Sequence, residues 1–194
     1  MSKDMVKSVG KRVAIRLPIL VVAVLTPASL RAADIEGTLN VPKPDRAVVY
    51  IEAVAGTFAG GKAKLDQRNK VFSSYVLAIV KGTSVEFTNS DDMTHNVFGV
   101  GADEFDLGNW TKGKVREHTF NKVGDVTLLC NVHQEMEAHV LVLQSPFFAQ
   151  PDSGGKFRIA NVPPGDYVVA AWYQGHVKKQ KLKVPGTGTV TVSF

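Results

Sequence analysis

GDVTLLCNVHQEMEAHVLVL, residues 124–143, carries two patterns that decide how this chain is read. The first is alternation: Val126, Leu128 and Cys130 fall on one side of an extended segment, because successive side chains of a strand point to opposite faces. This predicts a strand over 126–130 with Cys130 at the end of its inward-facing row, where the strand gives way to a loop. The second is spacing. Cys130, His133 and Met136 follow one another at intervals of three, and a second apolar strand is predicted at 139–143. A thiolate, an imidazole and a thioether thus leave one strand in a single loop that another strand closes.

Outward from this stretch the same short, alternating texture continues, rich in Val, Thr and Phe and broken by Gly, Pro, Asn and Asp about every ten residues. Strands are predicted at 35–39, 47–53, 75–80, 84–89, 96–100 and 115–120 on the N-terminal side. On the C-terminal side they are predicted at 156–159, 166–172, 178–184 and 189–194. No segment carries the apolar period of a long amphipathic helix, so the fold class expected is all-β. Between the predicted strands at 84–89 and 96–100 lies NSDDMTHNVF, residues 89–98, which supplies a second imidazole, His95.

The first thirty or so residues differ from the rest. Lys3, Lys7, Lys11, Arg12 and Arg16 precede an apolar run from Leu17 to Leu25 and a small-residue stretch from Thr26 to Ala33, the layout of a secretory leader. The apolar run is about half the roughly 20 residues a spanning helix needs. Cleavage is therefore expected near Ala33 or Asp34, with a periplasmic mature protein and no stable membrane insertion. The leader also holds six of the 23 basic residues and one of the 18 acidic ones, which leaves 17 of each and removes the case for a nucleic-acid partner. What remains is uneven: residues 34–143 carry 11 basic and 15 acidic side chains, residues 144–194 six and two.

Cys130 is the single cysteine, so no internal disulfide can form, and a free thiol outside the cytosol must be buried or occupied. Two His, one Cys and a weak Met make up the trigonal donor set of an electron-transfer copper site. Soft thiolate suits Cu(I), imidazole suits both oxidation states, and a loosely held thioether lets the geometry stay nearly unchanged as an electron arrives. His95, Cys130, His133 and Met136 are accordingly the candidate ligands for one copper ion.

Together, NSDDMTHNVF and GDVTLLCNVHQEM resemble the cupredoxin pattern of plastocyanin, pseudoazurin and amicyanin, over about residues 65–143. The short ligand loop is most similar to amicyanin and to cupredoxins of the methylamine-utilisation type. The resemblance implies a Greek-key β-sandwich, copper held by those four residues, Asn96 holding the ligand loop near the sulfur, and redox proteins as donor and acceptor, the chain itself a monomer and not an enzyme. Thr94 and Gln134 stand where relatives often have Pro, and Val126 and Leu128 where aromatics are usual. Farther on, the stretch from Asp152 to Trp172 (Asp-x-x-Gly-x-Phe, then Val-Pro-Pro-Gly-x-Tyr) resembles the transthyretin-like, carboxypeptidase-regulatory type of β-sandwich. The expected organisation is a leader at 1–33, a cupredoxin domain at 34–143 and a transthyretin-like segment at 144–194. An alternative has residues 34–56 completing that last segment, which makes the metal domain an insertion.

Other readings compete with an electron carrier. One is a copper store or delivery protein, and another a structural or carbohydrate-binding module with incidental metal. Zinc is a weaker fit because it rarely takes a thioether. A Cys-His nucleophile lacks a visible orienting residue and leaves Met136 without a role. Asp91, Asp92, Glu135 and Glu137 read as a solvated rim, with Glu135 or Glu137 the alternative ligand should Met136 not bind the metal. His118 and His176 read as surface residues, Trp110 as packing over a loop, Met93 as loop filler, and Lys178, Lys179, Lys181 and Lys183 as a wet strand face. His139 continues the three-residue spacing, but its strand carries it away from the metal.

Overall fold

A computed structural model describes residues 32–194. Nearly all of the leader expected over 1–33 therefore lies outside the described residues. Among the described residues the first elements are β1 (Ala33–Thr38), a 3-10 turn at Pro44–Arg46 and β2 (Ala47–Ile51). Nine strands follow: β3 (Lys62–Arg68), β4 (Val71–Phe72), β5 (Val76–Val80), β6 (Thr83–Asn89), β7 (His95–Gly101), β8 (Phe105–Trp110), β9 (Val115–Phe120), β10 (Gly124–Leu129) and β11 (Glu137–Leu143). It ends with β12 (Phe148–Ala149), β13 (Lys156–Val162), β14 (Gly165–Tyr173), β15 (His176–Val184) and β16 (Thr189–Ser193). The all-β expectation holds.

The strands form four sheets, packed in two pairs. A five-stranded sheet in the order β5-β11-β10-β7-β8 faces a four-stranded sheet in the order β4-β3-β6-β9. Their common core contains Val126, Leu128, Val97 and Val140 from the first, and Leu65, Val85, Phe87 and Phe120 from the second. The second pair is β13-β1-β16 and β12-β2-β14-β15, joined by Ile35, Phe157 and Ile159 against Val49, Ile51 and Val169. The chain thus leaves the second pair after β2 and returns to it at β12. Each Val, Leu or Phe fully buried in these cores contributes roughly 1.5–3 kcal/mol.

Burial follows the alternation read from the sequence. In β10, Val126 and Leu128 are buried and Asp125, Thr127 and Leu129 are half-buried. β11 departs from it, with every residue from Ala138 to Leu143 buried, because both its faces are covered. Ala138, Val140 and Val142 enter the core beneath the sheet. Leu141 and Leu143 enter a third cluster with Val48, Val76 and Trp172, the seam between the two pairs of sheets.

Four strands are not among those expected from the sequence: β4 and β12, of two residues each, and the longer β3 and β8. β3 reads KAKLDQR, and only Leu65 and Gln67 in it are buried, so charge at alternate positions hides a single inward row. β8 reads FDLGNW, with Asp106 and Gly108 imitating a turn, and Trp110, expected over a loop, ends that strand buried opposite His95. No helix among the described residues is long and apolar enough to cross a membrane.

Candidate metal centre

β6 ends at Asn89 and β7 opens at His95, and Asn89 holds the loop between them closed. Its Nδ2 donates to the carbonyls of Met93 at 2.8 Å and Trp110 at 3.1 Å, while its Oδ1 accepts the Asp91 N–H at 2.9 Å. The Asp91 carboxylate then faces two partners. Its oxygens accept the backbone N–H groups of Asn69 at 2.7 Å and Lys70 at 3.0 Å, and Oδ2 lies 2.8 Å from His95 Nε2. Asn69 and Lys70 are the two residues between β3 and β4, with φ of 56° and 58°. That conformation is the two-residue hairpin turn that matches strand twist, and its successive N–H groups form an anion cradle. Burial by itself would raise the Asp91 pKa, but the Lys70 and Asn69 N–H groups and the His95 ring outweigh it and bring it down to about 2.

An ionised Asp91 accepts only, so His95 carries its proton on Nε2 and presents a lone pair at Nδ1. His95 is fully buried and cannot turn to find another partner. A carboxylate behind a histidine in this way fixes both ring orientation and tautomer. The sequence reading had placed Asp91 in a solvated rim; its side chain is in fact 11% exposed and points inward. Asp92 is the rim residue, 87% exposed and paired with Lys112.

The other donors come from the loop between β10 and β11. Cys130 is a free, buried thiol at the end of β10, and its Sγ accepts the Asn96 backbone N–H at 3.4 Å. Asn96 Oδ1 accepts the Asn131 N–H at 3.4 Å, and its Nδ2 donates to Asp106 Oδ1 and the Gly108 carbonyl. One buried Asn therefore joins β7, β8 and the ligand loop. Within the loop the Met136 N–H donates to the His133 carbonyl at 3.0 Å, a tight turn that sets His133 at the surface and returns Met136 to the core.

The ligand atoms of His95, Cys130 and His133 all lie within 4.8 Å of one another. The two imidazoles meet Nδ1 to Nδ1 at 3.1 Å. Since the His95 Nδ1 holds a lone pair, it either accepts a proton from His133 or shares a cation with it. Nitrogens 3.1 Å apart, each at the roughly 2.0–2.1 Å of an imidazole–zinc bond, subtend about 100° at the ion. Two nitrogens and one sulfur converging in this way fit a first-row metal that accepts soft and borderline donors. Met136 is buried in the same core cluster as Cys130.

Of the remaining histidines, His139 lies on the outer face of β11 with Nδ1 3.0 Å from Asp125 Oδ1, and it belongs to the seam. His118 is half-buried, contrary to its reading as a surface residue, and stacks on Phe105 at 3.9 Å with Asp103 at 3.1 Å. His176 and Met93 are exposed.

No protein-family model and no curated protein matches this chain. Among solved structures, it is similar to a purple cupredoxin from Nitrosopumilus maritimus, with 24% identity, 41% of this chain and 98% of that one covered, and a TM-score of 0.38. It is similar to a copper-containing nitrite reductase from Thermus scotoductus SA-01 at 21% identity, over 56% of this chain and 28% of that one, with a TM-score of 0.41. An oxidized point mutant of amicyanin is a third, at 23% identity over 41% of this chain and 79% of that one, with a TM-score of 0.38.

Proposed function

We propose that this chain is an exported cupredoxin of the type 1 copper class that carries single electrons between redox proteins, with one copper ion held by His95, Cys130, His133 and Met136. The observation that carries the reading is the convergence of His95 Nδ1, His133 Nδ1 and Cys130 Sγ on one point. Bound there, copper supplies one-electron chemistry between Cu(I) and Cu(II).

The chain's own residues do the rest. Asp91 holds the His95 lone pair inward. The Asn96 N–H stabilises negative charge on the Cys130 sulfur, and burial keeps water from it. His133 is half-buried, with exposed Val132 and Met93 in the same two loops, so its ring edge is the side from which a partner is reached. Met136, returned to the core, would be the fourth residue to hold the ion. The loop is clamped by β10 and β11 at both ends, which keeps the donors in place whichever oxidation state is present.

The periplasm is the compartment proposed, from the leader-like segment at 1–33, and the working form proposed is a monomer that acts as a carrier and not as a catalyst. We further propose that residues 34–56 and 144–194 make one unit into which the metal-carrying unit is inserted. Copper titration of the purified full chain tests the reading. Cu(II) is expected to produce intense visible absorption from thiolate-to-metal charge transfer that a Cys130→Ser variant lacks. A colourless wild-type protein under oxidising conditions, or colour unchanged in the variant, refutes it.

A further inference from the structure

The seam between the two pairs of sheets holds a polar chain among apolar neighbours. Asp125, on β10, faces outward from the metal-carrying pair and is bound on two sides. Its Oδ1 lies 3.0 Å from His139 Nδ1, and its Oδ2 accepts the indole N–H of Trp172 at 3.2 Å. Trp172 is on β14, in the other pair of sheets, and is 1% exposed. The opposite nitrogen of His139, Nε2, lies 3.4 Å from both the Tyr75 hydroxyl and Glu137 Oε1, and the Tyr75 hydroxyl donates to the same Glu137 oxygen at 3.4 Å. The rings meet at steep angles along this line, His139 4.9 Å from Trp172 at 62° and 5.3 Å from Tyr75 at 59°.

Both strands in this chain of contacts carry the ligand loop. β10 ends at Leu129, immediately before Cys130, and β11 begins at Glu137, immediately after Met136. In register Leu129 faces Glu137, Thr127 faces His139 and Asp125 faces Leu141, so the His139–Asp125 contact is a diagonal tie between the two strands, two to four residues below the loop mouth. Glu137, whose neighbour is Met136, is tied in by Tyr75 and His139. A buried indole N–H with a carboxylate acceptor has no alternative partner, and breaking it leaves Asp125 partly unpaired. Closed polar networks of this kind hold one geometry where apolar packing tolerates several.

We propose that Trp172 is a positioning residue for the ligand loop, acting through Asp125 and His139, so that the second pair of sheets is a working part of the metal centre. This rests on the reading of residues 130–136 as a metal loop. Its prediction for the loop itself does not require metal.

The test uses the full chain with Trp172→Phe, which removes the indole N–H and keeps an aromatic ring, and Asp125→Asn. Leu143→Val, in the same seam but outside the polar chain, controls for general loosening, with all three variants ranked by urea unfolding. In the metal-free proteins, hydrogen exchange at the Met136 amide is expected to speed up at least about tenfold in the first two variants and not in the third. In the second arm, with Co(II) as a spectroscopic probe, the first two variants are expected to bind more weakly, by at most about tenfold, since neither residue touches a ligand and the loss of groups that do starts at about that figure. Unchanged exchange in Trp172→Phe and Asp125→Asn, or an equal effect of Leu143→Val at matched stability, overturns the proposal. If the wild type binds no Co(II), the metal reading is what has failed, and the exchange arm alone decides the role of Trp172.

Discussion

Removing the Asp91 carboxylate charge, as in Asp91→Asn, should be felt in stability before any metal is added. The Asp91 carboxyl is brought down to about 2 in the fold, against an ordinary 3.8. At about 1.4 kcal/mol per pKa unit this charge stabilises the folded chain by about 2 kcal/mol at neutral pH. The side chain is 11% exposed, so solvent screening takes little from that figure. The sign follows from the depressed pKa: the contribution is full above the unfolded value of 3.8 and fades as pH falls through about 2, with about half of it gone near pH 3. Urea unfolding of metal-free wild type and variant, followed by tryptophan fluorescence at pH 7, 4 and 3, reads this directly. The gap between them should be about 2 kcal/mol at pH 7, and about half that at pH 3. A second consequence concerns His95, which without the charge loses the reason to keep its proton on Nε2. Metal binding should weaken roughly 10–100-fold, as when other groups behind a metal-bound histidine are lost. A gap below about 0.5 kcal/mol at pH 7, or one that does not shrink with acid, would refute the argument that the Asn69–Lys70 turn and His95 share one ionised carboxylate.

Three further outcomes follow from other parts of the molecule. Burial alone would lower the His139 pKa, but the Asp125 and Glu137 carboxylates outweigh it and raise it; its contribution to stability is therefore full below the ordinary histidine value of 6.5 and lost as pH rises through the higher folded value. Asp125→Asn should flatten that loss in unfolding curves taken from pH 6 to 9, and an unchanged slope would count against the pairing. On the proposed ligand set, Met136→Leu should leave a Cys130-dependent copper colour in place and raise the reduction potential, as expected when a weak thioether donor is lost; an unchanged potential in voltammetry would remove Met136 from the ligand set. Phe87→Ala, a fully buried ring on β6, should cost about 3–5 kcal/mol in urea unfolding, and a cost under about 1 kcal/mol would show that the core collapses around it.

Legibility differed from residue to residue for physical reasons. The row Val126, Leu128, Cys130 was readable because a strand with one buried face repeats every two residues, and β10 has such a face. β3 and β8 were not, since each turns only one or two large side chains inward and fills the remaining positions with charge or glycine. The Cys130, His133 and Met136 spacing was readable because one short loop carries all three. Asp91 does not stand out because an acid in a run of polar residues looks solvated, and only the two N–H groups of a hairpin 21 and 22 residues earlier in the chain make it a held, half-buried anion. Lys70 in that turn offers no sequence signal, as a positive φ there is usually signalled by glycine.

By itself, then, the sequence determined an all-β chain with a lone thiol at a strand end and an imidazole three residues beyond it. These are local properties, fixed by strand period and loop length. The tertiary structure decided which nitrogen of His95 points inward, because that depends on a carboxylate held by a distant turn. It also decided that β1 and β2 pair with the C-terminal strands rather than with the strands that follow them, since strand partners are chosen by which apolar faces can be buried together across the whole chain. The burial of Trp172 against Asp125 is of the same kind: neither residue signals the other in sequence, and only the packing of two separate pairs of sheets brings an indole N–H to a carboxylate beneath the ligand loop.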